Sequence, residues 1–168
     1  MSALPQDPRS TPGGVAALKV RFREGKSALL EGFGAGRASA PAATRLVRAL
    51  ARHVDATLAE LWQHAAMPGG AALVAVGGFG RGELFPYSDV DVLILLPDGN
   101  GSGDGQSDTT REAIEQFITA CWDTGLEIGS SVRTVAECVA EAQRDVTVQT
   151  ALLESRLVCG ARRLFNSF

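Results

Sequence analysis

Two acidic residues, Asp89 and Asp91, stand at the start of an apolar run that ends at Leu96. Side chains alternate between the two faces of a β-strand, so a strand here places both carboxylates on one face and Val90 on the other. Two neighbouring carboxylates repel each other unless a cation lies between them. Mg²⁺ suits this position because it binds carboxylates, phosphate oxygens and water, and Mn²⁺ accepts the same oxygen ligands. The spacing therefore predicts a divalent-cation site; the alternative is a turn before a strand, with Ser88 and Asp89 as turn residues.

A glycine-rich turn, GGFGRG, precedes the two aspartates. Glycine has no Cβ, so the backbone N–H groups at Gly77 and Gly78 can approach an anion closely. Arg81 adds a planar cation that suits phosphate. A phosphate cradle beside metal-binding carboxylates predicts nucleotide chemistry. For Arg81, an ion pair with Glu83 or Asp89 is the alternative, and Glu83 is left outside the predicted metal set.

Glu127 is a third candidate carboxylate, because it lies between two apolar residues in a short segment, residues 126–132, whose pattern indicates a strand. If that strand lies beside the strand of the aspartates, three acids converge. Such a set suits in-line nucleotidyl transfer, in which one cation activates the attacking hydroxyl and another stabilises the departing pyrophosphate. The alternative places Glu127 in solvent on an edge strand. The predicted catalytic and metal-binding residues are Asp89, Asp91 and Glu127, and the predicted nucleotide-binding residues are Gly77, Gly78, Arg81 and Ser88.

Other phosphate-binding motifs do not fit the glycine-rich turn. It lacks the GKS or GKT ending of a Walker loop, and Glu83 occupies the position where the dinucleotide fingerprint has its last glycine. The combination of a glycine pair, an arginine and S-D-x-D is more specific than a glycine-rich turn alone.

The composition indicates one globular domain with a substantial core, because the chain has 168 residues and 45% hydrophobic content. A formal net charge of −3 argues against a nucleic-acid partner, which usually requires a basic surface. No apolar run approaches the roughly 18 residues of a membrane span, and residues 1–14 do not resemble a signal peptide, so no membrane contact and a cytoplasmic location are expected. The three irregularly spaced cysteines are expected to be buried, and the two histidines to be structural or solvated.

The periodicity of apolar residues predicts an α+β fold, in which a small mixed sheet is backed by helices. Helices are expected over residues 15–33 and 46–65, with a linker at 32–41 between them. A polar, glycine-rich surface loop is expected at 97–108.

Capping residues and glycines predict where helices begin and end in the second half of the chain. One helix is expected to end at Gly125, and the next to begin at a capping box formed by Thr134 and Glu137. Asp145 is expected to cap a further helix that ends at Gly160. Three strands in total follow from this interpretation, around residues 71–76, 90–96 and 126–132.

The glycine pair followed by D-x-D resembles the DNA polymerase beta nucleotidyltransferase superfamily. More narrowly, two stretches are similar to the amino-terminal transferase domain of the bifunctional PII uridylyltransferase/uridylyl-removing enzymes: GGFGRGELFPYSDVDVLILL and CWDTGLEIGSSVRTVAECVAEAQRDVTVQTALLESRLVCG. The resemblance covers residues 71–160, with looser similarity in the preceding helix. Ser130 departs from the family, which commonly has histidine there, and this leaves the role of that position open.

This resemblance implies a polymerase-beta-like fold and a reaction in which UMP passes from UTP to a tyrosine of the PII nitrogen-regulatory protein. It implies that Gly77 and Gly78 hold the triphosphate, that Asp89 and Asp91 bind Mg²⁺, and that Glu127 is the third carboxylate. Two alternatives remain. One is a non-catalytic nucleotide-binding regulatory module, and the other is an adenylyltransferase of the same superfamily, because residues that contact phosphate and metal do not select the base.

Composition, apolar periodicity and the resemblance together divide the chain. Residues 1–14 are expected to be a disordered tail, 15–66 the N-terminal helices, 67–160 the nucleotidyltransferase domain, and 161–168 the start of a further region with its phenylalanines unpaired. Family members continue through a helical region, an HD-type phosphohydrolase domain and paired ACT domains. The chain is therefore expected to be a fragment.

Overall fold

The computed structural model describes residues 12–99 and 108–168. Within these ranges the elements are α1 Pro12–Ala35, α2 Ala40–His64, β1 Ala72–Ala75, α3 Gly77–Gly80, β2 Val90–Leu96, α4 Asp108–Thr124, β3 Ile128–Thr134, α5 Val135–Arg144, α6 Val146–Leu153, β4 Arg156–Gly160 and α7 Arg162–Ser167. This mixture of helices and strands confirms the predicted α+β class. Most of the predicted tail and of the predicted surface loop lies outside the described residues.

A four-stranded sheet with the order β3-β2-β1-β4 organises the described residues. β1 is antiparallel to both β2 and β4, whereas β2 and β3 run parallel. Parallel neighbours need a crossover, and α4 lies between them in the chain. The sheet is therefore mixed, as predicted. β3 begins at Ile128, two residues later than the sequence indicated.

The strand β4 corrects the prediction of a single helix from Asp145 to Gly160. Asp145 does cap α6, because its Oδ1 accepts a hydrogen bond from the N–H of Thr147 at 2.7 Å. That helix ends at Leu153, and Arg156–Gly160 pairs with β1 instead. The free edge of β1 offers backbone hydrogen-bond partners to this segment. Pairing with that edge outweighs any local preference of the short apolar segment for a helix.

The main core lies on one face of the sheet, which we call the sealed face and define by Val90, Val92 and Ile94 of β2. Helices α1, α2 and α4 pack over it. Leu58 of α2 and Phe117 of α4 have no exposed surface. This face holds most of the buried apolar residues of the described chain, so it supplies most of the hydrophobic stabilisation.

The opposite face, which we call the thin face, is defined by Asp91, Leu93 and Leu95 of β2. Its apolar cluster is smaller, and α5, α6 and α7 contribute mainly half-buried side chains to it. Helix α6 has no buried residue, and its Leu153 is 81% exposed. The thin face is thus more loosely covered than the sealed face.

The end of the chain, α7 with its C-cap Phe168, corrects the expectation that the phenylalanines there are unpaired. The rings of Phe165 and Phe168 are 6.2 Å apart between centroids, and both pack against the thin-face cluster. Aromatic side chains at this separation attract each other and bury apolar area.

The contact between α1 and α2 accounts for the glycine at position 25. A Cβ at Gly25 would lie 2.3 Å from Cε1 of His53, so a larger residue would force the His53 ring to move. The His53 ring stacks on Phe22, and its Nε2 lies 2.9 Å from the Phe22 carbonyl oxygen. His53 is therefore structural, as predicted. The helices leave only residues 36–39 between them, a shorter linker than predicted.

Several smaller predictions are also confirmed. Thr134 and Glu137 form the capping box of α5, and α4 ends before Gly125, whose φ is 93°. Cys121 and Cys138 are buried, and burial raises the pKa of these thiols to about 12 and about 11. Cys159 is only half-buried, so the expectation that all three cysteines are buried holds for two of them. Among the described helices, none combines the length and the apolar character that a membrane span needs.

Candidate functional site

Asp91 is the one exposed position in β2, whose other six residues are buried. It pairs with Gly129 of β3 in the parallel register. A Cβ at Gly129 would lie 2.7 Å from Oδ1 of Asp91, and a Cβ at Gly77 would lie 3.9 Å from Oδ2. The Asp91 carboxylate therefore lies between two glycines, one from the glycine-rich turn and one from the neighbouring strand.

The pKa of the Asp91 carboxyl depends on its partial burial and on the neighbouring Asp89. Partial burial raises the pKa of the Asp91 carboxyl above its ordinary value, and repulsion from Asp89 raises the pKa further. The two aspartates are thus close enough to interact, as their spacing predicted. A cation between them would relieve the repulsion, and the neighbouring glycines keep Cβ atoms away from the carboxylate. These residues fit a hard divalent cation that takes oxygen ligands.

The glycine-rich turn forms the short helix α3. Its N-cap, Val76, makes no side-chain capping hydrogen bond, so the first N–H groups of the turn are not capped by that residue. Gly77 has a φ of 55°, a left-handed conformation that favours glycine. A Cβ at Gly80 would lie 1.7 Å from the carbonyl oxygen of Glu154, so the turn packs directly on the backbone that leads into β4. Backbone conformation therefore explains Gly77, and close packing explains Gly80.

Arg81 lies at the end of this turn and is engaged by acids. Its Nη1 donates to Oε2 of Glu154 at 2.5 Å, and its Nε lies 3.9 Å from Oε2 of Glu83. The ion pair with Glu83 is one of the alternatives that the sequence left open. The side chain of Arg81 is half exposed, so phosphate binding by this residue stays a prediction that requires an exchange of partners.

Glu127 and Ser88 flank the same end of β2. The carbonyl oxygen of Glu127 accepts a hydrogen bond from the N–H of Val90 at 2.9 Å, which places Glu127 beside the strand of the aspartates. Both Glu127 and Ser88 are exposed and line a cavity of about 120 Å³. Within residues 12–99 and 108–168, however, no three acidic, histidine or cysteine side chains lie together as a metal cluster. The shared metal role of Asp89, Asp91 and Glu127 therefore stays a prediction.

Sequence reasoning did not identify Arg156 and Asp55. Arg156, at the start of β4, donates two hydrogen bonds to Asp55 of α2 and a third to the carbonyl oxygen of Phe79 in the turn. The one signal in the sequence was a lone arginine directly before an apolar segment, and that signal does not indicate a partner 101 residues away.

The sequence of the chain is similar to that of known proteins. Residues 54–148 match the family model of the nucleotidyltransferase domain. The chain is 51% identical to the bifunctional uridylyltransferase/uridylyl-removing enzyme of Cupriavidus pinatubonensis (strain JMP 134 / LMG 1197), over 99% of this chain and 18% of the relative. It is 50% identical to the enzymes of the same name from Burkholderia pseudomallei (strain K96243) and Burkholderia mallei (strain SAVP1), over 94% of this chain and 17% of each relative.

The chain thus spans less than a fifth of the length of these relatives. The family match covers more than half of the chain and includes the glycine-rich turn, both aspartates and Glu127. The chain belongs to the nucleotidyltransferase domain family.

Proposed function

We propose that this chain is a metal-dependent nucleotidyltransferase domain that transfers UMP from UTP to a tyrosine of the PII signal protein. The observation that carries the proposal is the position of the Asp91 carboxylate, between Gly77 of the turn and Gly129 of β3. The printed names of the relatives support uridylyl transfer, and the resemblance of the two sequence stretches supports PII as the acceptor.

Each part of the site has a role in this proposal. The backbone N–H groups at Gly77 and Gly78 bind the triphosphate, because they lie at the uncapped start of α3. Asp89 and Asp91 hold Mg²⁺, with Glu127 as the third carboxylate. When bound, the cation neutralises the carboxylates and the negative charge on the phosphates.

The reaction exchanges one phosphorus–oxygen bond for another. The phenolic oxygen of the acceptor tyrosine forms a bond to the α-phosphorus, the bond from that phosphorus to the bridging oxygen breaks, and pyrophosphate departs. The phenol proton passes to solvent water in the same exchange. The turn and carboxylates serve this step by fixing the α-phosphorus for in-line attack, since orientation supplies a large part of such catalysis.

Arg81 has two available partners in this scheme. In the structure it pairs with Glu154, and the arriving triphosphate competes with that carboxylate for the same guanidinium. The triphosphate carries more negative charge than the Glu154 carboxylate, and its oxygens can also accept two parallel hydrogen bonds from a guanidinium. We therefore expect Arg81 to move from Glu154 to the nucleotide.

The decisive experiment incubates the chain with Mg²⁺, PII protein and either labelled UTP or labelled ATP, and follows which label becomes attached to PII. Transfer from UTP supports the proposal. Transfer from ATP alone would show an adenylyltransferase. Nucleotide binding without transfer, measured in parallel by calorimetry, would support a non-catalytic nucleotide-binding module for this chain.

A further inference from the structure

We propose that Arg156 is a positioning residue, which holds the glycine-rich turn in its phosphate-binding conformation by joining it to α2 and β4. This inference rests on the proposed function of the turn. It concerns a residue that contacts neither Asp89 nor Asp91 in any described hydrogen bond or ion pair.

The contacts of Arg156 connect three elements. Its Nη1 and Nη2 donate to the two carboxylate oxygens of Asp55 in α2, at 2.9 and 3.1 Å. Nη2 also donates to the carbonyl oxygen of Phe79, at 3.2 Å, and the guanidinium carbon lies 5.4 Å from the centroid of the Phe79 ring. A planar guanidinium can pair with a carboxylate through two parallel bonds and stack on a ring at the same time, whereas an ammonium group cannot.

The surroundings of Arg156 make the loss of its pairing with Asp55 unfavourable. The side chains of Arg156 and Asp55 are only 33% and 25% exposed. Nε of Arg156 is buried and makes no hydrogen bond within the described residues. Removing one partner of a partly buried ion pair lowers the stability of the folded protein, because the remaining charge stays poorly solvated.

Two separate contacts join the turn to the start of β4. Gly80 lies against the backbone carbonyl of Glu154, where no Cβ would fit, and Phe79 is held by Arg156 two residues further on. Phe79 itself is 2% exposed. Two anchors on consecutive residues fix both the position and the tilt of a four-residue helix, and therefore the direction in which its first N–H groups point.

The test replaces Arg156 with lysine, which keeps the charge but loses the planar fork, in the 168-residue chain. We expect the affinity for UTP in the presence of Mg²⁺, measured by calorimetry at a temperature where circular dichroism shows a folded protein, to fall about tenfold, since small misplacements of binding groups have large effects. Asp55→Asn is expected to weaken UTP binding in the same direction. Because the two residues form one unit, the double variant should lose less than the sum of the single losses.

Arg21→Lys is the matched control. Arg21 forms an ion pair with Glu60 that also joins two elements, α1 and α2, but on the exposed surface and without contact to the turn. We expect its UTP affinity to equal that of the wild type. Wild-type affinity in Arg156→Lys, or an equal loss in Arg21→Lys, would overturn the positioning role.

Hydrogen exchange separates this inference from the proposed function, because it needs no nucleotide. The N–H groups of Gly80 and Arg81 donate to the carbonyl oxygens of Val76 and Gly77 within the turn. In Arg156→Lys we expect these two amides to exchange about tenfold faster, while amides in α4 keep their rates. Unchanged exchange at Gly80 and Arg81 would refute the positioning role even if the wild type bound no UTP.

Discussion

The two faces of the sheet are built for different purposes, although the same strand contributes to both. On the sealed face, Val90 and Val92 are buried under long helices. On the thin face, Asp91 lies exposed between glycines, where the covering helices contribute mostly half-buried residues. The difference teaches that strand alternation separates the hydrophobic core from the proposed site: the sealed face supplies the core, and Asp91 lies on the other side of the same strand.

The strongest test of this separation removes Phe117, which is fully buried on the sealed face. Phe117→Ala should lower the free energy of unfolding by about 3–5 kcal/mol, because it leaves a cavity and deletes apolar contacts. Leu153→Ala on the thin face is the control, and it should change stability by less than about 0.5 kcal/mol because that side chain is largely exposed. Urea unfolding monitored by circular dichroism measures both. Similar losses in the two variants would contradict the comparison.

Asp91→Asn tests the chemical side of the comparison. The substitution removes a charge at nearly constant volume, so UMP transfer should fall on the order of 100-fold or more, in line with the loss of one key electrostatic group. The metal-free variant should melt no lower than the wild type, since the repulsion from Asp89 is gone. A variant that fails to fold would instead give Asp91 a structural role.

Stabilisation of the folded chain by UTP should require both the divalent cation and the aspartates that are proposed to bind it. UTP at about 100 times its dissociation constant should stabilise the folded chain by about 2.7 kcal/mol when Mg²⁺ or Mn²⁺ is present. The increase in melting temperature should disappear with excess EDTA and in Asp91→Asn. Equal stabilisation by UTP in the presence of EDTA would contradict the proposal that a cation takes part in nucleotide binding.

Gly129→Ala should have a smaller effect. The added Cβ would approach Oδ1 of Asp91 to 2.7 Å, and the carboxylate can rotate away only by leaving its place between the glycines. We expect transfer to fall about tenfold while folding is retained, because a misplaced group weakens orientation without deleting it. Gly32→Ala is the matched control, since a Cβ there meets no atom within 4 Å. Equal activity of Gly129→Ala and the wild type would show that the spacing beside Asp91 is not critical.

The smallest expected effect concerns pH in the metal-free protein. The pKa of Asp91 is raised in the folded state, so in the window between its ordinary value, about 3.9, and the raised value the folded chain holds more protons than the unfolded chain. Stability of the wild type should therefore fall, relative to Asp91→Asn, as pH rises through that window. Urea unfolding of both variants across the acidic range measures the difference. A difference that grew in the opposite direction would mean that the carboxylate is stabilised by its surroundings.

The sequence predicted those parts of the molecule that depend on local pattern. The D-x-D spacing predicted that Asp89 and Asp91 interact, although only Asp91 lies within β2. The capping residues Thr134 and Asp145 marked the starts of α5 and α6. The glycine-rich turn and the aspartates also led to the correct family. These features are local because a strand's period and a helix cap involve residues only a few positions apart.

The features that the sequence did not predict depend on contacts between distant residues. β4 was assigned to a helix, because nothing within Arg156–Gly160 reveals the free edge of β1 that it joins. Gly25 has a low intrinsic helix propensity, and nothing in the sequence near it shows that the His53 ring packs against its Cα. The pairing of Arg81 with Glu154 was likewise hidden, since the acid lies 73 residues further along the chain.

The pairing of β1 with β4 also determines when the site can be completed during folding. Ala72 pairs with Gly160, so this edge forms only after a long loop has closed, and such distant contacts slow folding. Helices of the sealed face consist of local contacts and can form while the chain is still being synthesised. Arg156 and the Glu154 carbonyl arrive only with β4. We therefore expect the glycine-rich turn to reach its native conformation late, after the helices that cover the sealed face.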